Sequence, residues 1–137
     1  MKRSEWAEEW WQRSARDLQA AKSLKGDDFW ETCVFTCQQA AEKALKALWT
    51  DKRSDTPPRT HRVGELAQKL GAPIEVVKAG NTLFGDYETS RYPVGGSDVP
   101  TAPYTREDAE DRLKKAEEII KWADAQWEVE DDSERTA

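Results

Sequence analysis

The stretch from Asp28 to Trp49, DFWETCVFTCQQAAEKALKALW, holds no glycine or proline. Its apolar residues recur at helical steps of three and four: Trp30, Cys33 or Val34, Cys37, Ala41, Ala44 or Leu45, and Leu48. A half-buried strand would instead alternate every second residue. A further row of Phe29, Phe35, Ala40 and Ala47 widens the apolar surface beyond what one neighbour needs. The alanines allow close approach, so this segment is expected to be the central helix of a bundle. Asp28 is the expected N-cap, with Glu31 closing a capping box. Glu42, Lys43 and Lys46 are read as a solvated face, Glu42 pairing with Lys46 one turn on.

The rest of the chain is read by how it covers this helix. From Met1 to Lys25, early acids and late bases suit a helix dipole. Ala7, Trp11, Ala15, Leu18 and Ala21 form the stripe expected to lie on the central helix. Trp6 and Trp10 lie on a neighbouring row, as core edge or as an oligomer contact. Gly26 is expected to end this helix, and the short connection makes the first two helices antiparallel. Pro57 and Pro58 break the chain after the central helix. Thr60 is the expected cap of a short third helix carrying Val63, Leu66, Ala67 and Leu70, ended by Gly71. Pro73 opens a fourth, Ile74 to about Ser90, weakened by Gly80, Asn81 and Gly85 but striped by Val77, Phe84 and Tyr87. Residues 91–104, RYPVGGSDVPTAPY, cannot hold regular structure, and a loop of that length is functional or mobile. Thr105 with Asp108 starts the last helix, with the stripe Ala109, Leu113, Ala116, Ile120, Ala123 and Trp127. The expectation is an all-α, antiparallel up-and-down bundle of four to five helices over 1–128, followed by an acidic disordered tail, 129–137.

Composition narrows the function classes. At 137 residues the chain is long enough to bury a core as one domain, and its seven tryptophans should fill much of it. A net charge of −6 argues against broad, non-specific nucleic-acid binding, though not against a local basic cleft. No run of about twenty apolar residues suits a membrane span, and no signal-peptide core is seen at the N-terminus, so a cytoplasmic protein is expected. Cys33 and Cys37 sit one turn apart on an apolar face, and His61 is the one histidine. That scarcity favours buried thiols over a metal site, and neither metal nor cofactor is expected.

Three features occur in order: CQQAAEKALKALW, then PPRTHRVGEL, then SRYP ahead of PYTREDAEDRLKKAEEII. Together they resemble the HEPN domain family, helical domains of higher eukaryotes and prokaryotes, over about Glu5 to Trp127. The resemblance implies an antiparallel helical bundle that commonly dimerises. It also implies cytoplasmic prokaryotic systems, often with a minimal nucleotidyltransferase partner encoded beside the HEPN protein, which points to a toxin–antitoxin-type pair. Many relatives are ribonucleases whose site is an arginine followed four to six residues later by a histidine, completed across a dimer. This chain departs from that motif. His61 precedes Arg91, Arg59 is too near to His61, and Arg53 is too far.

Candidate binding residues are therefore Arg59, His61, Arg91, Tyr92 and Tyr104, with no residue assigned a catalytic role. His61 follows a Pro-Pro turn at a helix start, either as a structural ring or as a donor beside Arg59 and Arg62, where an anion is favoured. Arg91 suits phosphate, and Tyr92 and Tyr104 suit base stacking, or else they only tie the loop down. The reading is a homodimeric binding module that partners a nucleotidyltransferase, with a cleft for a nucleotide or RNA. Its rivals are a metal-independent ribonuclease with a rearranged Arg91–His61 site and a stand-alone nucleotide-binding regulator.

Overall fold

The computed structural model describes residues 2–91 and 104–136, with side chains over 2–88 and 104–128. Tyr92 lies outside the described residues, as does the side chain of Arg91. Among the described residues there are five helices: α1 (Glu5–Gly26), α2 (Trp30–Arg53), α3 (Val63–Lys69), α4 (Ile74–Arg91) and α5 (Arg106–Thr136). They form the expected antiparallel bundle, and α2 packs against each of the other four. Its buried residues run almost without a gap from Cys37 to Trp49.

The α1–α2 contact is built on small side chains. Ala7, Ser14 and Ala21 are the buried residues of α1. Ser14 donates its hydroxyl to the Ala40 carbonyl at 2.7 Å, a bond that needs the two backbones close together. Ala15, expected in this stripe, is exposed. The apolar pattern misses Ser14 because its hydroxyl is satisfied by a carbonyl rather than by water.

The turn between these helices also differs from expectation. Asp28 adopts a left-handed backbone, φ 65°. Its amide donates to the Lys25 carbonyl at 3.1 Å, and that of Phe29 to the Leu24 carbonyl at 2.8 Å. This is the Schellman closure of α1, with Asp28 in the position glycine usually takes. Asp28 thus finishes α1 and cannot cap α2, which begins after Phe29 with no side-chain cap. The Asp28–Glu31 capping box does not form. At the start of α5, beside this turn, the expected device is present: the Thr105 amide donates to Asp108 Oδ2 at 2.9 Å, and the Asp108 amide to Thr105 Oγ1 at 3.2 Å.

The short α3 starts at Val63 without a side-chain cap. Thr60 Oγ1 instead accepts from the Arg62 amide at 3.1 Å, tightening the turn before the helix. Gly71, at φ +84°, ends it as expected. Gly80 gives the α3–α4 contact its closeness: a Cβ there would stand 2.7 Å from the Gly64 amide nitrogen and 2.8 Å from its Cα. The glycine that weakens α4 as a helix is what lets α3 lie on it. The buried stripe of α4 is Val76, Ala79, Leu83 and Tyr87, with Val77 and Phe84 half-buried. On α5 Ile119 is buried in place of Ile120. The backbone of α5 remains helical over 129–136, where composition suggests a disordered tail; no glycine or proline interrupts it there.

The N-terminal arm closes the bundle. The Arg3 guanidinium lies 4.0 Å from the Trp11 ring centroid and 4.4 Å from that of Trp127. It is paired to Asp124 and, at 3.9 Å, to Glu8. Asp51 Oδ2 on α2 accepts from the Ser4 amide at 3.0 Å and from Trp127 Nε1 at 2.9 Å. Three helices meet there.

Candidate functional site

Glu42, expected on a solvated face, is 5% exposed and Lys46 is 8% exposed. Their pairing is real, Lys46 Nζ standing 3.0 Å from Glu42 Oε2. The other oxygen of Glu42 accepts from Gln38 Nε2 at 2.8 Å and faces His61 Nδ1 at 2.8 Å. Gln38, Glu42 and Lys46 recur every fourth residue and so share one line along α2. The turn between α2 and α3 covers that line: Gln38 Nε2 also reaches the His61 carbonyl at 3.3 Å. Lys43 leaves this line and binds Asp17 of α1 at 2.5 Å.

An ionised carboxylate so deeply buried persists only if its oxygens are engaged, and here a lysine, an amide and an imidazole engage them. The consequence for His61 is a fixed tautomer. With Nδ1–H donating to Glu42, the neutral ring keeps its lone pair on Nε2. The His61 side chain is 49% exposed, so the dyad sits at the surface with its carboxylate inside. The imidazole lies 4.8 Å from the Tyr87 ring at 31°. Tyr87 stacks in turn on Phe35 at 5.7 Å and on Phe84 at 6.3 Å. Arg62 Cζ stands 5.1 Å from the Phe84 ring, and Arg59 is exposed two residues before His61.

The start of α3 and the end of α4 thus meet at one pole, as the antiparallel arrangement leads one to expect. Arg91 is the last residue of α4, one turn beyond Tyr87. The Tyr104 hydroxyl is engaged elsewhere: it donates to Asp86 Oδ1 at 3.0 Å. Burial and the Asp86 charge push its pKa well above the usual tyrosine value. Asp86, 7% exposed, also receives Arg112 Nε at 2.5 Å. This second polar knot ties α4 to α5 across the ends of segment 92–103.

The cysteines are free and buried. Hydrogen bonding to Cys33 and burial push the Cys37 thiol far up, so it stays protonated. Among the described residues no group of three or more His, Cys, Asp or Glu side chains is placed to hold a metal. No helix there is long and apolar enough to cross a membrane.

The model of the HEPN domain matches residues 7–126, most of the chain and all five helices in part or whole. The chain belongs to the HEPN domain family. Among solved structures, the archaeal HEPN homologue ST0689 is 31% identical, with a TM-score of 0.75 over 92% of this chain and 98% of its own. TT1696 from Thermus thermophilus is 28% identical, also with a TM-score of 0.75, over 86% of this chain and 95% of its own. No curated protein matches at a comparable level. In this HEPN domain the lone histidine stands on the turn before α3, held by a carboxylate from the middle of α2.

Glu42 and Asp86 are the residues that sequence reasoning passed over. For Glu42 a signal existed. Gln38, Glu42 and Lys46 make a polar line beside an apolar one, and a lone histidine on a tight turn needs a partner. Asp86 gave no such signal, because its partners Tyr104 and Arg112 lie beyond the loop.

Proposed function

We propose that this HEPN protein is a homodimeric binding module that works in the cytoplasm as the helical partner of a minimal nucleotidyltransferase, in a toxin–antitoxin-type pair. The cleft at the α3–α4 pole contacts nucleotide or RNA. The observation that carries the reading is the setting of His61. Its half-exposed ring lies on that of Tyr87, with Phe35 and Phe84 next to Tyr87 and with Arg62 and Arg59 near it in the chain. Tyr87 itself is buried, and the half-buried Phe35 and Phe84 are the rings that suit a base, while arginine forks suit phosphate. Arg91 and Tyr92 join this cleft in the proposal.

Reading the flanking genes and co-expressing the protein with any minimal nucleotidyltransferase they encode tests the partnership. A complex that survives size-exclusion chromatography at moderate salt is expected, and separate elution of the two proteins would refute it. For the cleft, Arg91→Ala and His61→Ala are expected to weaken nucleotide binding while the melting temperature moves by no more than a few degrees. Unchanged affinity in both variants would remove the cleft.

One observation favours a second reading, a metal-independent ribonuclease. A carboxylate-oriented histidine is what general-base chemistry uses. Cleavage also needs a group to protonate the leaving oxygen, and arginine, always charged, cannot supply that proton exchange. The binding reading therefore stands first. Metal-independent cleavage by purified protein, abolished by His61→Ala in a folded variant, would reverse that order.

A further inference from the structure

Trp6 is 72% exposed, far more than a core-edge residue. It stands one turn before the half-buried Trp10 on α1. Together they wall a groove of about 640 Å3 whose other side is the end of α2 and the turn beyond it, with Asp51, Asp55, Thr56 and Pro57. The lining contains two carboxylates and no lysine or arginine. Lys46, 5.7 Å from the Trp10 ring, is held by Glu42 rather than by the groove. The bonds described use Oδ2 of Asp51 and, from Trp49 Nε1 at 2.6 Å, Oδ1 of Asp55. The second oxygen of each takes no part in them.

Nearby, the same molecule builds this chemistry in completed form. Arg3 lies over the Trp11 and Trp127 rings with Asp124 and Glu8 on its guanidinium. Arg53 lies 4.9 Å from the Trp49 ring. Both are arginines on indole faces. At Trp6 and Trp10 the rings and carboxylates are present, and the one cation described on them, Lys46 over Trp10, is tied to Glu42; no lysine or arginine is among the residues that line the groove.

We propose that the Trp6–Trp10 groove takes an arginine-bearing segment of a partner protein, its guanidinium on the indoles and its fork toward Asp51 and Asp55. Arginine fits better than lysine because its planar, weakly hydrated cation stacks on a ring and bonds a carboxylate at the same time. The groove's negative charge agrees with the −6 of the whole chain, which draws cationic partners. Lys46 and Glu42 stand between Trp10 and His61, and the proposal does not depend on nucleotide binding at the α3–α4 pole.

The test uses capped pentapeptides with a central arginine, lysine or citrulline, followed through the indole N–H signals of the full-length protein. The arginine peptide is expected to shift the Trp6 and Trp10 signals saturably, the lysine peptide more weakly, and the neutral citrulline peptide not at all. Trp6→Ala, a change at an exposed position, should lower the affinity about tenfold and leave the melting temperature unchanged. Equal binding to the Trp6→Ala protein, or shifts spread without saturation over all the indoles, would overturn the proposal. Light scattering closes the remaining route: conversion of a dimer to a monomer by Trp6→Ala would make a second copy the occupant and equally refute it. Failure here leaves the nucleotidyltransferase complex to its own test.

Discussion

His61 is held by a carboxylate nineteen residues earlier in the chain, Glu42, across 2.8 Å. The two contribute unequally to the fold. Glu42 lies inside with three partners, whereas half of the histidine side chain faces solvent. Glu42→Ala leaves the Lys46 ammonium buried without its carboxylate and is expected to cost about 3 kcal/mol of stability. His61→Ala removes one bond at the surface and should cost about 1 kcal/mol or less. Urea denaturation of the two variants measures the difference, and equal losses would show that the network does not centre on Glu42.

Two glycines of α4 should respond in opposite directions to alanine. Gly85 has open space where a Cβ would stand, so Gly85→Ala should gain about 0.5–1 kcal/mol from helix propensity. At Gly80 the new Cβ meets the backbone of Gly64 within 3.0 Å, and backbone cannot step aside as a flexible side chain does. The propensity gain is outweighed, and a net loss of about 2 kcal/mol is expected. Thermal melts of the pair provide the check.

Ser14 predicts a steep dependence on size. Ser14→Ala gives up the bond to the Ala40 carbonyl at a cost of about 1 kcal/mol. Ser14→Leu must part α1 from α2, with an expected loss of about 3 kcal/mol. If leucine were tolerated as well as alanine, the close approach of the two helices would be in error.

Tyr104 carries an alkaline signature. Its folded pKa lies above the usual value, so the bond to Asp86 contributes in full below about pH 10 and fades as pH rises through the folded value. Stability of the natural protein should therefore fall with pH above about 10, and Tyr104→Phe should fall less steeply there. Denaturant midpoints across that range report the difference. Parallel curves would mean that the hydroxyl is not committed to Asp86.

Much of this was legible from the chain because it is local. The period of α2, the Thr105–Asp108 cap and the stop at Gly71 each depend on residues a turn apart. What escaped depended on distant partners. Asp28 reads as a cap for α2, and only the closure of α1 shows it taking the left-handed position instead. Glu42 and Lys46 read as surface because intrahelical ion pairs usually are; the turn that buries them arrives with His61. Gly80 reads as a weakness until Gly64 is placed against it. Tyr104 reads as a ligand contact until Asp86 is seen beneath it.

The Arg3 clasp has a consequence in time rather than in space. Its contact with Asp124 spans 121 residues, whereas the α1–α2 hairpin closes over the short turn between Gly26 and Trp30. The hairpin can form early, but the clasp must wait until α5 has docked, because closing so long a loop returns nothing until both ends are in place. An interaction absent from the folding transition state acts on the way out. Arg3→Ala is therefore expected to speed unfolding and leave the refolding rate nearly unchanged, and stopped-flow refolding slowed as much as unfolding is quickened would show that the clasp forms early.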